Sequence, residues 1–185
     1  MPDGRPAVTP LIVRKLLVDE QNELFDARGM KLVEFPGEFG RIRERTAALL
    51  ATCPERFKEG NLLEQQVSEI IKNGIKHGNR CDPCKRIRVW HDFRKRVRLI
   101  VEDEGEGFLD LEAWNEFYRR RQLALHAGDF GGFLDMASYR GPASDETDGG
   151  NSLIAALEFW NGGMIYNRKK NKIGVVRWYN HGSDA

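Results

Sequence analysis

Cysteine is scarce in this chain, with 3 among 185 residues, and no apolar run is long enough to cross a bilayer. An odd and small number of thiols excludes a disulfide-built scaffold and fits a reducing cytoplasm. Neither sign of charge prevails: 29 Lys and Arg face 28 Asp and Glu, for a net charge of +1. Nucleic-acid binders concentrate basic charge, so no nucleic-acid partner is expected. The short runs RKRVR (Arg94 to Arg98) and RKKNK (Arg168 to Lys172) read as turns and solvated strand faces. No secretory leader is visible, because LIVRKLLV is broken by Arg14 and Lys15 and no small-residue cleavage site follows it. The expectation is a cytoplasmic protein with no membrane contact. The pair in CDPC (Cys81 and Cys84) lies near His77 and His91, but no second C-x-x-C or H-x-H spacing completes a tetrahedral metal set. It reads as a helix-to-strand loop.

What is present describes one globular unit. Hydrophobic residues make up 41% and charged residues 31% of the chain, and this length supports one sizeable core with an appendage. Residues 1–30, with Pro2, Pro6 and Pro10, read as an N-terminal arm or an extra helix. KLVEF (Lys31 to Phe35) is strand-like, and Pro36-Gly37 turns the chain into the probable helix EFGRIRERTAALLA. A second helix runs from about Leu62 to Lys76, closed by Gly78-Asn79 in the manner of a C-terminal cap. RIRVWH and VRLIVED alternate as a hairpin, with Ile87, Val89, Val97, Leu99 and Val101 toward one face. Residues 109–148 form a long connection with one helix, LEAWNEFYRRR, and read as a lid. SLIAALEFW then forms a helix from Ser152, and GMIYNRKKNKIGVVRWYN closes the fold as a hairpin. This order predicts an α+β fold, a two-layer sandwich whose helices pack on one face of a mixed, mostly antiparallel sheet.

Three stretches carry candidate chemistry. In VSEIIKNGIKHGN, Leu63, Val67, Ile70, Ile71, Gly74 and Ile75 form a buried stripe at about 100° per residue, while Glu69, Asn73 and His77 recur four apart on its margin. Asn73 offers a hard neutral oxygen suited to magnesium, which takes its other ligands from water and phosphate. Glu69, one turn earlier, is placed to deprotonate a hydroxyl or water. In DEGEG, Asp103 to Gly107, glycines alternate with acids at a strand end, letting the backbone turn tightly where a Cβ would collide with a ligand. In TDGGNSLIAA, a glycine pair leads into a helix start, whose free N–H groups suit an anion. Each stretch also has an ordinary reading, as a polar helix edge, a plain turn and a capped helix.

Taken together, E-x-x-x-N followed by H-G, then D-x-G-x-G at a hairpin end, then a lid and a glycine-led helix, resemble the Bergerat (GHKL) ATP-binding fold of histidine-kinase-like ATPases. VSEIIKNGIKHGN is most similar to the anti-sigma-factor serine/threonine kinases, and the resemblance spans roughly residues 31–179. It implies ATP and Mg2+ as cofactors, Asn73 as the magnesium ligand and Glu69 as the catalytic base. It also implies Asp103 as acceptor for the adenine amino group, Gly105 and Gly107 as the wall beside the base and the lid hinge, and Gly149, Gly150 and Ser152 facing the phosphates. His77 is read as structural. The chain departs from the family's third box, G-x-G-L, because Ser152 stands where the second glycine belongs.

The function so implied is a regulatory serine/threonine protein kinase of the partner-switching type, acting on a sigma factor or an anti-sigma antagonist, with a homodimer possible. A non-catalytic nucleotide-dependent binding module and the ATPase domain of a two-component-like protein are the alternatives.

Overall fold

The computed structural model describes residues 14–58, 60–141 and 150–179. Alternation along two adjacent segments sets up its architecture. In β3 (Arg86–Asp92) every second residue, Ile87, Val89 and His91, is buried. The antiparallel strand β4 (Val97–Asp103) pairs Val89 with Val101 and Ile87 with Asp103. Because strand residues two apart share a face, this register places Asp103 on the same face as Val97, Leu99 and Val101. That is the face on which the main hydrophobic core is built.

Four further strands complete a mixed six-stranded sheet. They are β1 (Leu17–Val18), β2 (Lys31–Pro36), β5 (Gly163–Tyr166) and β6 (Lys172–Arg177), and the spatial order is β1-β5-β6-β4-β3-β2. The β1–β5 pairing is parallel and every other pairing is antiparallel. Among the described residues five α-helices accompany the sheet, in an α+β arrangement: α1 (Ile42–Leu50), α2 (Leu62–Asn73), α3 (Leu111–Ala127), α4 (Phe130–Asp135) and α5 (Ser152–Phe159). The core joins Val67, Ile71 and Ile75 to Ile87, Val89, Leu99 and Val175, and extends to Leu157 of α5 and Trp114 of α3. No helix among the described residues is long and apolar enough to cross a membrane.

The opposite face of the sheet is handled in two ways. Over β2, β3, β4 and β6 it carries a ladder of alternating sign, Glu34, Arg88, Glu102 and Lys172, each directly opposite the next in register. The ion pairs run at 2.7, 3.8 and 3.1 Å. Such cross-strand pairs favour this register and keep the surface wet. Elsewhere the N-terminal segment covers the sheet. Leu24 packs with Ile165 and Val176, and the guanidinium of buried Arg98 donates to the carbonyls of Glu23, Leu24 and Asp26.

Two segments take a form that the sequence left open. The described part of the arm, from residue 14, forms β1 and a 3-10 turn at Glu23–Phe25, with no α-helix. The first half of the connection assigned to a lid is built into the core. Leu111, Trp114 and Tyr118 of α3, spaced three and four apart, are buried, and Asn115 bonds both the N–H and the C=O of Leu16 at 2.8 and 2.9 Å.

Candidate functional site

The helix carrying Glu69 and Asn73 does not end as the sequence suggested. After Asn73, α2 widens into a π-helical turn, Gly74–Gly78, a distortion common at functional sites. Asn79 donates its backbone N–H to Gly74 O at 2.7 Å, and Cys81 donates to Ile75 O at 2.8 Å. The left-handed residues that follow are Arg80 and Cys81, both at φ 56°, so Gly78-Asn79 is not a left-handed cap. Asn79 is instead fully buried.

The wide turn lies directly against Asp103. A Cβ on Gly78 would overlap the Asp103 carboxyl group, and one on Gly74 would meet the Asp103 Cβ at 3.6 Å and Ile87 at 3.1 Å. A Cβ on Gly105 would strike the Gly78 carbonyl oxygen. Three glycines therefore permit the strand end to dock under the helix end, with Asn73 adjacent in the chain to Gly74. Gly107, at φ 91°, lies against the Lys169 backbone, and the Phe108 N–H donates to Lys170 O at 3.0 Å. DEGEG is thus fastened to the β5–β6 turn as well.

Asp103 Oδ1 accepts the Gly105 N–H at 2.8 Å, and no bond among the described residues reaches Oδ2. Burial pushes the carboxyl up to about 6, against the opposing pull of the Gly105 N–H and the positive charges of Lys169 and Lys85; Glu102 adds to the push. At neutral pH it is a largely ionised, partly desolvated acceptor, which suits a neutral N–H donor. Its charge also holds the Tyr166 hydroxyl protonated, after the larger effect of that ring's own burial.

The other residues of the set are less tightly bound. Asn73 is half-buried and its side-chain amide makes no hydrogen bond among the described residues. Both Glu69 carboxylate oxygens lie 3.3 Å from Lys72 Nζ. His77 is exposed. Gly150, at φ 65°, abuts Tyr139, whose N–H reaches Gly150 O at 3.3 Å. Ser152 opens α5, which packs on α2, and the preceding Asn151 side chain makes no capping bond. Gly149 lies outside the described residues. No bond among them links Gly150 or Ser152 to Asn73 or Asp103. The structure therefore brings Asp103 and Gly105 to one corner against Gly74 and Gly78, with Asn73 next to Gly74 in the chain and Gly107 on the turn beyond it.

No group of three His, Cys, Asp or Glu residues among the described ones could hold a metal ion by itself. Cys81 and Cys84 are exposed free thiols. A divalent cation beside Asn73 would need oxygens from water and from an anionic ligand, the usual manner of magnesium.

Sequence reasoning missed three residues of this corner, the buried asparagines Asn79, Asn167 and Asn171. Their one signal is that each follows a helix or strand immediately or sits in a turn between strands, where asparagine's paired donor and acceptor can bond the backbone.

The chain matches no family model and no curated protein sequence.

Proposed function

We propose that this protein is an ATP- and magnesium-binding regulatory protein of Bergerat type, acting as a serine/threonine protein kinase on a sigma factor or its antagonist. The observation that carries the reading is the docking of Asp103 under the glycine-containing end of the helix that bears Glu69 and Asn73. A half-buried carboxylate whose Oδ2 takes no bond among the described residues fits an adenine amino donor. A half-buried amide one residue from Gly74 fits magnesium through its carbonyl oxygen. The start of α5 offers backbone N–H groups to phosphates.

In this reading Asn73 holds the cation and Asp103 orients the base. Magnesium, when bound, neutralises phosphate charge during transfer. Glu69 takes the proton from the serine or threonine hydroxyl of the partner as the γ-phosphoryl group passes to that oxygen, its bond to the bridging oxygen of the β-phosphate breaks and ADP leaves. Lys72, paired with Glu69 at 3.3 Å, holds the carboxylate in place until an acceptor arrives.

A second reading has its own support. Glu69 is already engaged by Lys72, and Ser152 replaces a glycine expected beside the phosphates, which favours a module that binds nucleotide and partner without transfer. The third, an ATPase domain of a two-component-like protein, has no observation in its favour here.

Calorimetric titration with ATP, with and without magnesium, tests the site. Asn73→Ala is expected to weaken the magnesium-dependent binding by about tenfold, a loss of about 1.4 kcal/mol. Equal affinity in both proteins removes Asn73 from the metal site. With γ-labelled ATP and candidate sigma-factor and antagonist acceptors, Glu69→Ala is expected to bind and not transfer. Binding without transfer in the wild type selects the second reading, and acid-labile label on histidine the third.

A further inference from the structure

Both backbone polar groups of Asp103 are bonded, and by one residue. Asn171 accepts the Asp103 N–H on its own carbonyl at 2.9 Å, and its side-chain Nδ2 donates to Asp103 O at 2.7 Å. One residue on the β5–β6 turn thus holds both polar groups of the aspartate's backbone. Asn171 is itself braced by Asn167. The Asn167 Nδ2 donates to Asn171 Oδ1 at 3.0 Å, and the Asn167 Oδ1 accepts the Asn171 and Lys172 N–H groups, both at 3.1 Å.

From the other side, Asn79 Oδ1 accepts the Glu104 N–H at 2.8 Å and its Nδ2 donates to Arg86 O at 3.0 Å. Its backbone is bonded to Gly74 and Asp82. A single buried amide thus ties the π-helical turn, the first residue of β3 and the residue after Asp103. The peptides on both sides of Asp103 are hydrogen-bonded, through Asn171 and Asn79, which restrains the backbone rotation by which the carboxylate could turn away. A contact that reads one hydrogen bond demands this, because misplacement by about 1 Å removes most of its benefit.

We propose that Asn79 and Asn171 are positioning residues that clamp the Asp103–Gly105 turn from two sides and aim the carboxylate at the amino group of a purine base. The role at the base rests on the nucleotide reading above; the clamp itself does not. Asn167 acts through Asn171.

The test uses the full chain carrying Asn171→Ala and two readouts. The first, without ligand, is amide hydrogen exchange by NMR at Gly105, whose N–H bonds Asp103 Oδ1 and which Asn171 does not touch. Exchange there is expected to rise at least tenfold, with Val89 in the sheet centre unchanged. The second compares ATP with purine riboside triphosphate, which lacks the 6-amino group. The variant is expected to lose about tenfold in ATP affinity and nothing for the analogue, a split that a general loss of structure would not produce. Unchanged Gly105 exchange, or equal losses for the two nucleotides, overturns the proposal. If the wild type binds neither nucleotide, the nucleotide reading fails while the exchange result still decides the clamp. If Asn171→Ala does not fold, Asn167→Ala carries both measurements, with the same pattern expected.

Discussion

Two asparagines, Asn79 and Asn151, stand before the two ends of the candidate site and are used in opposite ways. Asn79, at the Asp103 corner, is buried and its side chain bonds the first residue of β3 and the residue that follows β4. Asn151, before α5, is exposed and its side chain caps nothing. No acceptor among the described residues reaches the N–H groups of Ser152, Leu153 or Ile154. At the first corner the backbone around Asp103 is bonded within the chain before any ligand arrives. The second leaves helix donors open, which is where an anion would gain most. A site so divided would recognise one end of its ligand by a prebuilt acceptor and the other by charge.

The largest effect that can break this comparison is expected from Asn79→Ala. Removing the amide leaves the Glu104 N–H and the Arg86 C=O, whose bonds to Asn79 are part-buried, without their partner, and a group left unsatisfied away from water costs about 1–3 kcal/mol. Urea denaturation should therefore show a loss of about 2–4 kcal/mol at unchanged slope. A loss below about 1 kcal/mol would mean that water replaces the amide and that this corner is no more rigid than the other.

Next in size is Asp103→Asn, whose sign is unusual. The folded carboxyl titrates at about 6 against a usual 3.8, raised chiefly by burial. Folding therefore takes up a proton between these values. The associated stability is present below about pH 4 and is lost as pH rises through about 6. The wild type should weaken across that window by about 2–3 kcal/mol, an order-of-magnitude figure from a shift of about two units. Asp103→Asn should lack the slope, be the more stable protein at pH 8 and bind ATP less well. Thermal melts from pH 4 to 8 check the first two points. A variant less stable than wild type at pH 8 would show that the charge is compensated in place, and the corner would then be a structural ion site.

Much of the fold was written in local patterns, and the corner itself only in part. Alternation in RIRVWH and VRLIVED fixes which face Asp103 occupies, and the stripe from Leu63 to Ile75 fixes which face of α2 is buried. The π-helical turn was hidden because the apolar spacing continues through Gly74 and Ile75 without a break. β1 is two residues long and pairs with residues almost 150 positions away, so no local pattern announces it. α4 lies in a stretch with Gly131 and Gly132 that reads as loop; Asp129, accepting the Gly132 N–H at 2.9 Å, holds its first turn. The burial of α3 was legible in principle from Leu111, Trp114 and Tyr118, but a long connection after a strand invites a lid reading. The asparagine clamps were not legible, because their partners are set by tertiary packing alone.

The smallest expected effect sharpens the contrast from its weak side. Replacing an N-cap asparagine by alanine usually costs about 1 kcal/mol, and that cost is the loss of a side-chain bond to a helix N–H. Asn151 makes no such bond, so Asn151→Ala should change stability by less than about 0.5 kcal/mol. Asp129, which does cap its helix, supplies the calibration: Asp129→Ala should be the costlier of the two in the same denaturation series. If Asn151→Ala proves as costly as Asp129→Ala, the start of α5 is closed by its own side chain in solution. Its N–H groups are then not free for an anion, and the division of the site into a prebuilt end and an open end falls.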